Sequence, residues 1–266
     1  MSGFSAGWLA MREPYDRAAR NVEVADAVAA AFAGASGARV TDLGCGTGAT
    51  MRAIAPRLPA RQSWRLVDDD DVLLDVASKA APAGAGVTAV VLDLSQAIEA
   101  ALDDCDLVAT SALLDLVSAA WLDRLVACLA RLSRPFYAAL SYNGVVAMAP
   151  DSLHDAVVIS AVNRHQHTDK GFGPALGPDA ARTAPARFRD AGFMVVEGRS
   201  DWCVGAGDRE VQMEMLDGWA GAARAIGVGP ATLDEWLAER REHVAAGRSQ
   251  MRVGHIDFFA TPTGRR

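Results

Sequence analysis

The stretch Val40-Thr-Asp-Leu-Gly-Cys-Gly-Thr-Gly48 decides the reading of this chain. A short apolar run ends at three alternating glycines, Gly44, Gly46 and Gly48, and a helical pattern starts at residue 49. Glycine permits positive φ and lets a ligand lie close against the main chain. The helix start behind such a loop presents unpaired N–H groups and the positive end of a dipole. Many strand–helix turns need glycine for backbone reasons alone, so the residues around the loop carry the argument. Asp42 sets a carboxylate beside Gly44, where a phosphate would be repelled and an amino group attracted.

Working outward, Asp68 ends the next apolar run, at about the distance where dinucleotide folds place an acid on a ribose hydroxyl. Asp93 ends the third run and is placed to accept from an adenine amino group. A glycine loop ringed by acids at successive strand ends describes a site for an adenosine that carries an amino acid rather than a pyrophosphate.

The rhythm of the chain supports this. Apolar runs at 39–43, 64–67, 87–94, 106–112 and 135–142 read as strands. Helical patterns separate them at 49–58, 72–79, 96–102 and 119–132, with a further helix at 21–33. Strands alternating with helices of about ten residues mark crossover units and a mainly parallel sheet. The pattern breaks after Asn143 and resumes with a helix at 178–191, an extended run at 193–204, helices near 208–226 and 231–246, and a last strand at 255–260. The expectation is an α/β chain with a doubly wound, seven-stranded, mainly parallel sheet. It is one domain over residues 1–266, with an N-terminal helical cap segment at 1–36 and cap insertions at 144–178 and 206–250.

These motifs resemble those of the class I S-adenosylmethionine-dependent methyltransferases. Their first motif is similar to residues 40–48 nearly residue for residue, their second to Asp68, and their third to Leu92-Asp93-Leu94. Their fourth is matched loosely by Thr110-Ser-Ala-Leu-Leu-Asp115-Leu. The resemblance covers residues 20–143 well and the last two strands in outline. It implies a Rossmann-like fold, S-adenosylmethionine as cofactor and S-adenosylhomocysteine as product. It also implies a cofactor site with Asp42 and Gly44 near the methionine part, Cys45, Gly46 and Gly48 in the loop, and Asp68 on the ribose hydroxyls. Asp93 and Leu94 frame the adenine, and Ser111 comes from the fourth motif. Asp69 takes the ribose if the strand ends one residue later. The acids Asp69 to Asp71 otherwise read as a solvated loop capping the next helix.

Methyl transfer from a sulfonium is an in-line displacement, so acceptor residues belong on the caps over the strand ends. The densest polar cluster there is Asn163-Arg-His-Gln-His-Thr-Asp-Lys170. His165 and His167 are the candidate catalytic bases, since histidine titrates near neutral pH. Arg164 and Lys170 suit an acidic group on the acceptor. Tyr15, with Arg12 near it, sits on an N-terminal segment placed to fold over the cofactor. Tyr142 and Asn143 end the fifth strand, and Asp115 follows the fourth; these complete the acceptor-site candidates. A solvated loop, a packed amphipathic helix and a helix cap are the structural alternatives for these three groups. No metal site is expected.

Net charge is −7, with 51% hydrophobic and 22% charged residues. Without a Lys/Arg-rich run, nucleic acid and anionic membrane are poor partners. No signal segment, membrane span or cysteine-pair motif is visible, which suits a cytoplasmic protein, monomeric or homodimeric. The leading expectation is a methyltransferase acting on a small molecule, O-methylation ahead of N- or C-methylation. A non-catalytic S-adenosylmethionine-binding sensor or scaffold is the alternative. The G-x-G-x-G spacing and Asp42 disfavour a nicotinamide dehydrogenase. Asp42, and the lack of an acidic pair on the fourth strand, disfavour aminopropyl transfer.

Overall fold

The apolar run before the glycine loop is a central strand, β1 (Ala38–Leu43), in a computed structural model that describes residues 4–264. The first three residues of the 1–36 segment and the last two of the chain lie outside the described residues. β1 is buried on both faces and pairs in parallel with β2 (Gln62–Asp68) on one side and β4 (Leu107–Ser111) on the other. Beyond β2 lies the edge strand β3 (Gly86–Val91), and beyond β4 lies β5 (Phe136–Ala149). β8 (Gln250–Pro262) runs antiparallel to β5 and is flanked by β6 (Phe193–Arg199) and β7 (Trp202–Val204). The sheet order is β3-β2-β1-β4-β5-β8-β6, with β7 also on β8. Strand order reverses between β1 and β4, and open α/β sheets bind ligands outside the carboxyl ends of the strands at such a point.

Helices cover both faces. α2 (Val22–Phe32), α3 (Ala49–Ile54) and α4 (Asp71–Lys79) pack over one core, around Val28, Met51 and Leu74. α5 (Leu94–Ala101), α6 (Ala119–Leu132) and α8 (Ala180–Asp190) pack over the other, around Ile98, Leu125 and Phe188. Periodicity put these helices where they are because each carries apolar residues at helical spacing and a polar start. Ser118, for example, accepts from the Trp121 N–H at 3.2 Å and begins α6. At the N-terminus, α1 (Ala6–Ala19) starts at Ser5, whose hydroxyl accepts from the Trp8 N–H. α7 (Asp155–Gln166), α9 (Arg209–Ala225) and α10 (Pro230–Ala245) pack on one another beside the β5–β8 pair.

The doubly wound, mainly parallel sheet is present, with departures from the expected boundaries; the last strand, expected at 255–260, runs over Gln250–Pro262. The single run at 193–204 is two strands, because Ser200 and Asp201 turn the chain between β6 and β7. β5 continues seven residues past its expected end, so the stretch expected as the first insertion begins on strand. The third strand stops at Val91, not residue 94: Asp93 is the cap of α5, accepting from the Ser95 N–H at 2.9 Å, and Leu94 is already helical.

Candidate active site

The glycine loop after β1 is clamped from three directions. Gly44, Gly46 and Gly48 have φ of 62, 50 and 82°. A Cβ on Gly46 would stand 3.1 Å from Leu9 Cδ1, so α1 lies directly on the loop. Arg52 on α3 holds the strap in place: its Nε and Nη2 donate to the two Glu13 oxygens at 2.7 and 2.6 Å. Its Nη1 donates to the Thr47 carbonyl at 2.6 Å. Arg52 thereby holds the Glu13 carboxyl below its ordinary pKa.

Asp68 is the third clamp. Its Oδ2 accepts from the Gly46 N–H at 2.8 Å and its Oδ1 from the Asp70 N–H at 3.2 Å. Burial raises its pKa, and those N–H groups oppose the rise. A carboxylate has about four acceptor positions, so the two left over suit a diol. Asp69 is exposed, and Asp70 caps α4. Asp93 uses Oδ1 on the Ser95 N–H and hydroxyl. Leu94 packs in the second core and its carbonyl accepts from Trp121 Nε1 at 2.7 Å.

Asp42 is wholly buried, and neither carboxylate oxygen has a partner among the described residues. Burial pushes its pKa up to about 8, against the pull of Arg20. A buried carboxyl without a partner is costly, and marks a place where a donor belongs. Cys45, next in the loop, is buried too; burial and then Asp42 push its thiol up, so it stays protonated and is no nucleophile at neutral pH. Ser111, at the end of β4, accepts from Arg20 Nη2 at 3.2 Å. The orphaned acid and the glycine cradle fit the amino-acid end and ribose of an adenosyl cofactor.

Residues 40–136 match the methyltransferase domain family. The matched segment holds the glycine loop, Asp42, Asp68 and Asp93. The fold is also that of two solved structures. One is a cyclopropane-fatty-acyl-phospholipid synthase-like protein from Lactobacillus casei, 16% identical, covering 97% of this chain and 94% of that one with a TM-score of 0.55. The other is the cyclopropane synthase MmaA2 from Mycobacterium tuberculosis, 12% identical, covering 97% and 94% with a TM-score of 0.52. No curated protein sequence matches the chain.

At the strand ends where an acceptor is expected, the chain gathers polar residues from several elements. Asp115, in the turn after β4, is 7% exposed and its Oδ1 is buried without a partner. Burial pushes its pKa up to about 6, opposed in part by Arg12, the Tyr142 main chain and Lys170. Its own carbonyl accepts from the Gly177 N–H at 2.9 Å, and that of Val117 from the Leu176 N–H at 2.8 Å. The far end of the insertion is thus stitched to the acceptor turn. The Tyr142 hydroxyl donates to Asn163 Oδ1 at 2.7 Å on α7. Burial pushes that phenol well above its usual pKa.

Four residues here were not singled out from the sequence. His255 is one of them, and nothing near it in sequence makes a site. The β5–β8 register puts it opposite Tyr142, with ring centroids 6.1 Å apart, and 5.5 Å from Trp202. Burial drives its pKa down to about 4, with Arg12 adding to the fall, and Nδ1 has no hydrogen-bond partner among the described residues. Arg12 grips Asp16 through Nε at 3.0 Å, and Trp202 Nε1 donates to the same carboxylate at 3.1 Å. Asp16, Arg20 and Asp257 complete the set. Their only sequence signal is the four-residue spacing of Arg12 and Asp16 on one helix face.

The remaining candidates spread out. Tyr15 packs 6.2 Å from Trp202, and burial, then a hydrogen bond with Asp208, pushes it up to about 12. Asn143 turns onto Gly254 and accepts from the Val145 N–H at 3.0 Å, shaping the irregular part of β5. Lys170 curls onto the end of α7, donating to the His165 carbonyl at 3.1 Å, with its Nζ 3.4 Å from His165 Nδ1. Burial and then that ammonium lower the His165 pKa. Arg164 and His167, but not His165, line an open groove of about 490 Å³ with Val146, Asp155, Ile159 and Asn163. The two histidines therefore do not share one site. Among the described residues, no group of His, Cys, Asp or Glu side chains is placed to hold a metal ion, and no helix is long and apolar enough to cross a membrane.

Proposed function

We propose that this methyltransferase methylates a hydroxyl of a small molecule seated between α1 and the ends of β4 and β5. When bound, S-adenosylmethionine supplies a methyl group already activated on sulfur, so the protein has to orient the acceptor and exclude water. One observation carries the choice of hydroxyl: Asp115 offers a buried, unpartnered oxygen and a pKa of about 6. A carboxylate poised there accepts a hydroxyl proton as the oxygen is methylated. Tyr142 and Lys170 flank it, and Arg12 sets the local charge. Asp42, Gly44, Gly46, Gly48 and Asp68 hold the cofactor, with Cys45 and Ser111 lining its loop, and with Asp93 and Leu94 at its adenine end. We read the chain as one catalytic domain in which the segments 1–36, 144–178 and 206–250 wall the acceptor side. The four free cysteines suit a cytoplasmic enzyme.

Calorimetric titration with S-adenosylhomocysteine tests the cofactor assignment. Binding is expected for the thioether and absent for NAD. Asp68→Ala is expected to weaken it by roughly tenfold or more, since a charge-assisted hydrogen bond is worth about 1.5–3 kcal/mol. A panel of phenols, hydroxy acids and amines with labelled methyl donor tests the acceptor. Turnover of hydroxyl compounds that falls on the order of a hundredfold in Asp115→Asn supports the reading. Turnover of amines alone overturns it.

A further inference from the structure

We propose that Arg20 is the clamp for the carboxylate of the cofactor's amino-acid end, set opposite Asp42, which takes its ammonium. The inference rests on the cofactor reading above and names a residue that none of the four motifs contains.

The placement follows from the sheet. Asp42 on β1 pairs with Ala109 on β4, and Ala109 with Tyr137 on β5. Side chains alternate along a strand, so Asp42, Ser111 and Tyr137 lie on one face. Arg20 crosses that face from the joint between α1 and α2. Its Nη1 donates to the Tyr137 hydroxyl and its Nη2 to Ser111 Oγ, each at 3.2 Å. The next residue is pinned as well: the Asn21 N–H donates to Asp257 Oδ2 at 2.9 Å. The guanidinium is therefore held before any ligand arrives, and preorganised donors lose little entropy on binding.

What it is held for is shown by what stays unmade. Among the described residues, Arg20 Nε is buried and has no hydrogen-bond partner, and both oxygens of Asp42 are buried and have none. Arg20 is the strongest favourable charge felt by Asp42, yet the two side chains do not close into an ion pair. Buried on its own, Asp42 keeps its proton; an ammonium placed beside it favours the carboxylate, which then faces Arg20 across the ligand. A free anion would satisfy Arg20 and leave Asp42 worse off; a cation would do the reverse. A zwitterion with its ammonium and carboxylate on one carbon satisfies both. Arginine also suits a carboxylate better than lysine does, because its planar fork offers parallel donors.

The test pairs a change in the protein with a change in the ligand. S-adenosylhomocysteine, its decarboxylated amine analogue and 5′-methylthioadenosine are titrated calorimetrically into the wild-type chain and into Arg20→Gln. The wild type is expected to bind the full thioether at least tenfold more tightly than the decarboxylated analogue. In Arg20→Gln that preference is expected to vanish, while methylthioadenosine binds within about twofold of wild type. Tyr137→Phe, which removes one of the groups that aim Arg20, is expected to lose part of the preference and serves if Arg20→Gln does not fold. A wild type that binds the thioether and its decarboxylated analogue equally overturns the clamp. So does a variant weakened equally toward all three ligands. A wild type that binds none of the three overturns the cofactor reading itself.

Discussion

Among the described residues, both carboxylate oxygens of Asp42 and Oδ1 of Asp115 are buried without a hydrogen-bond partner, and both acids keep a proton at higher pH than an exposed carboxyl would. For Asp42 the folded pKa is about 8, against an ordinary value of 3.8. The folded chain holds that proton more tightly than the unfolded one. The stability it contributes is therefore greatest at low pH and is lost as pH rises from about 4 through about 8. An ammonium placed beside Asp42 favours the ionised form, so binding S-adenosylhomocysteine at pH 7 is expected to release close to one proton. Titrations in buffers of different ionisation enthalpy measure this. The release should fade above about pH 9 and vanish in Asp42→Asn; no release from the wild type at pH 7 contradicts the assignment. The groups that set this titration are Arg20, Asp68 and Arg52.

At the scale of the element, the strap α1 and the glycine loop are built for each other. Gly46 sits at φ 50° and leaves 3.1 Å between a hypothetical Cβ and Leu9. A side chain there meets both a left-handed backbone and the strap. Gly46→Ala is expected to lower stability by about 1–2 kcal/mol from the backbone alone, read by urea denaturation. Leu9→Ala in that background should restore only the contact part, so a full recovery would show that the backbone conformation costs nothing. The third strand teaches a related point. Residues 87–94 read as one apolar run, yet the chain leaves the sheet at Val91 because Asp93 and Ser95 form a cap. A helix start overrides the strand preference of the two residues before it.

Across the whole molecule, the acceptor side depends on how α7, α9 and α10 are latched. Arg240 is fully buried on α10 and reaches α7, where its Nε donates to Asp155 Oδ1 at 2.9 Å and its Nη2 pairs with Oδ2. Its Nη1 donates to the Pro150 carbonyl at 2.7 Å, and Trp236 Nε1 also donates to Asp155 at 2.8 Å. Removing one side of a buried pair costs about 3–5 kcal/mol because the other charge is left alone. Asp155 is partly exposed, so the lower end applies: Arg240→Met is expected to lose about 3 kcal/mol in urea denaturation. Amide exchange over residues 155–166 should speed up with it. Binding of S-adenosylhomocysteine, whose proposed contacts lie on β1, β2 and β4 and make no bond to α10, should change little.

The sequence alone carried the alternation of strands and helices over residues 38–142, the glycine loop, and Asp42 and Asp68 as candidate cofactor acids, because each depends on local pattern. A glycine loop, an apolar period and a strand-end acid are all written within a few residues of one another. The acceptor side was readable only in part: Arg12, Asp115 and Tyr142 stood among its candidates, while His255 did not. Its residues come from positions far apart, Arg12, Asp115, Tyr142 and His255, and only strand register and the docking of α1 bring them together. His165 and His167 show the converse: two residues apart in sequence, they end on different sides of a helix terminus, one beside Lys170 and the other in an outer groove. Arg20 belongs with the first group. Nothing near it in sequence marks it, and only the face shared by β1, β4 and β5 turns an arginine between two helices into a partner for Asp42.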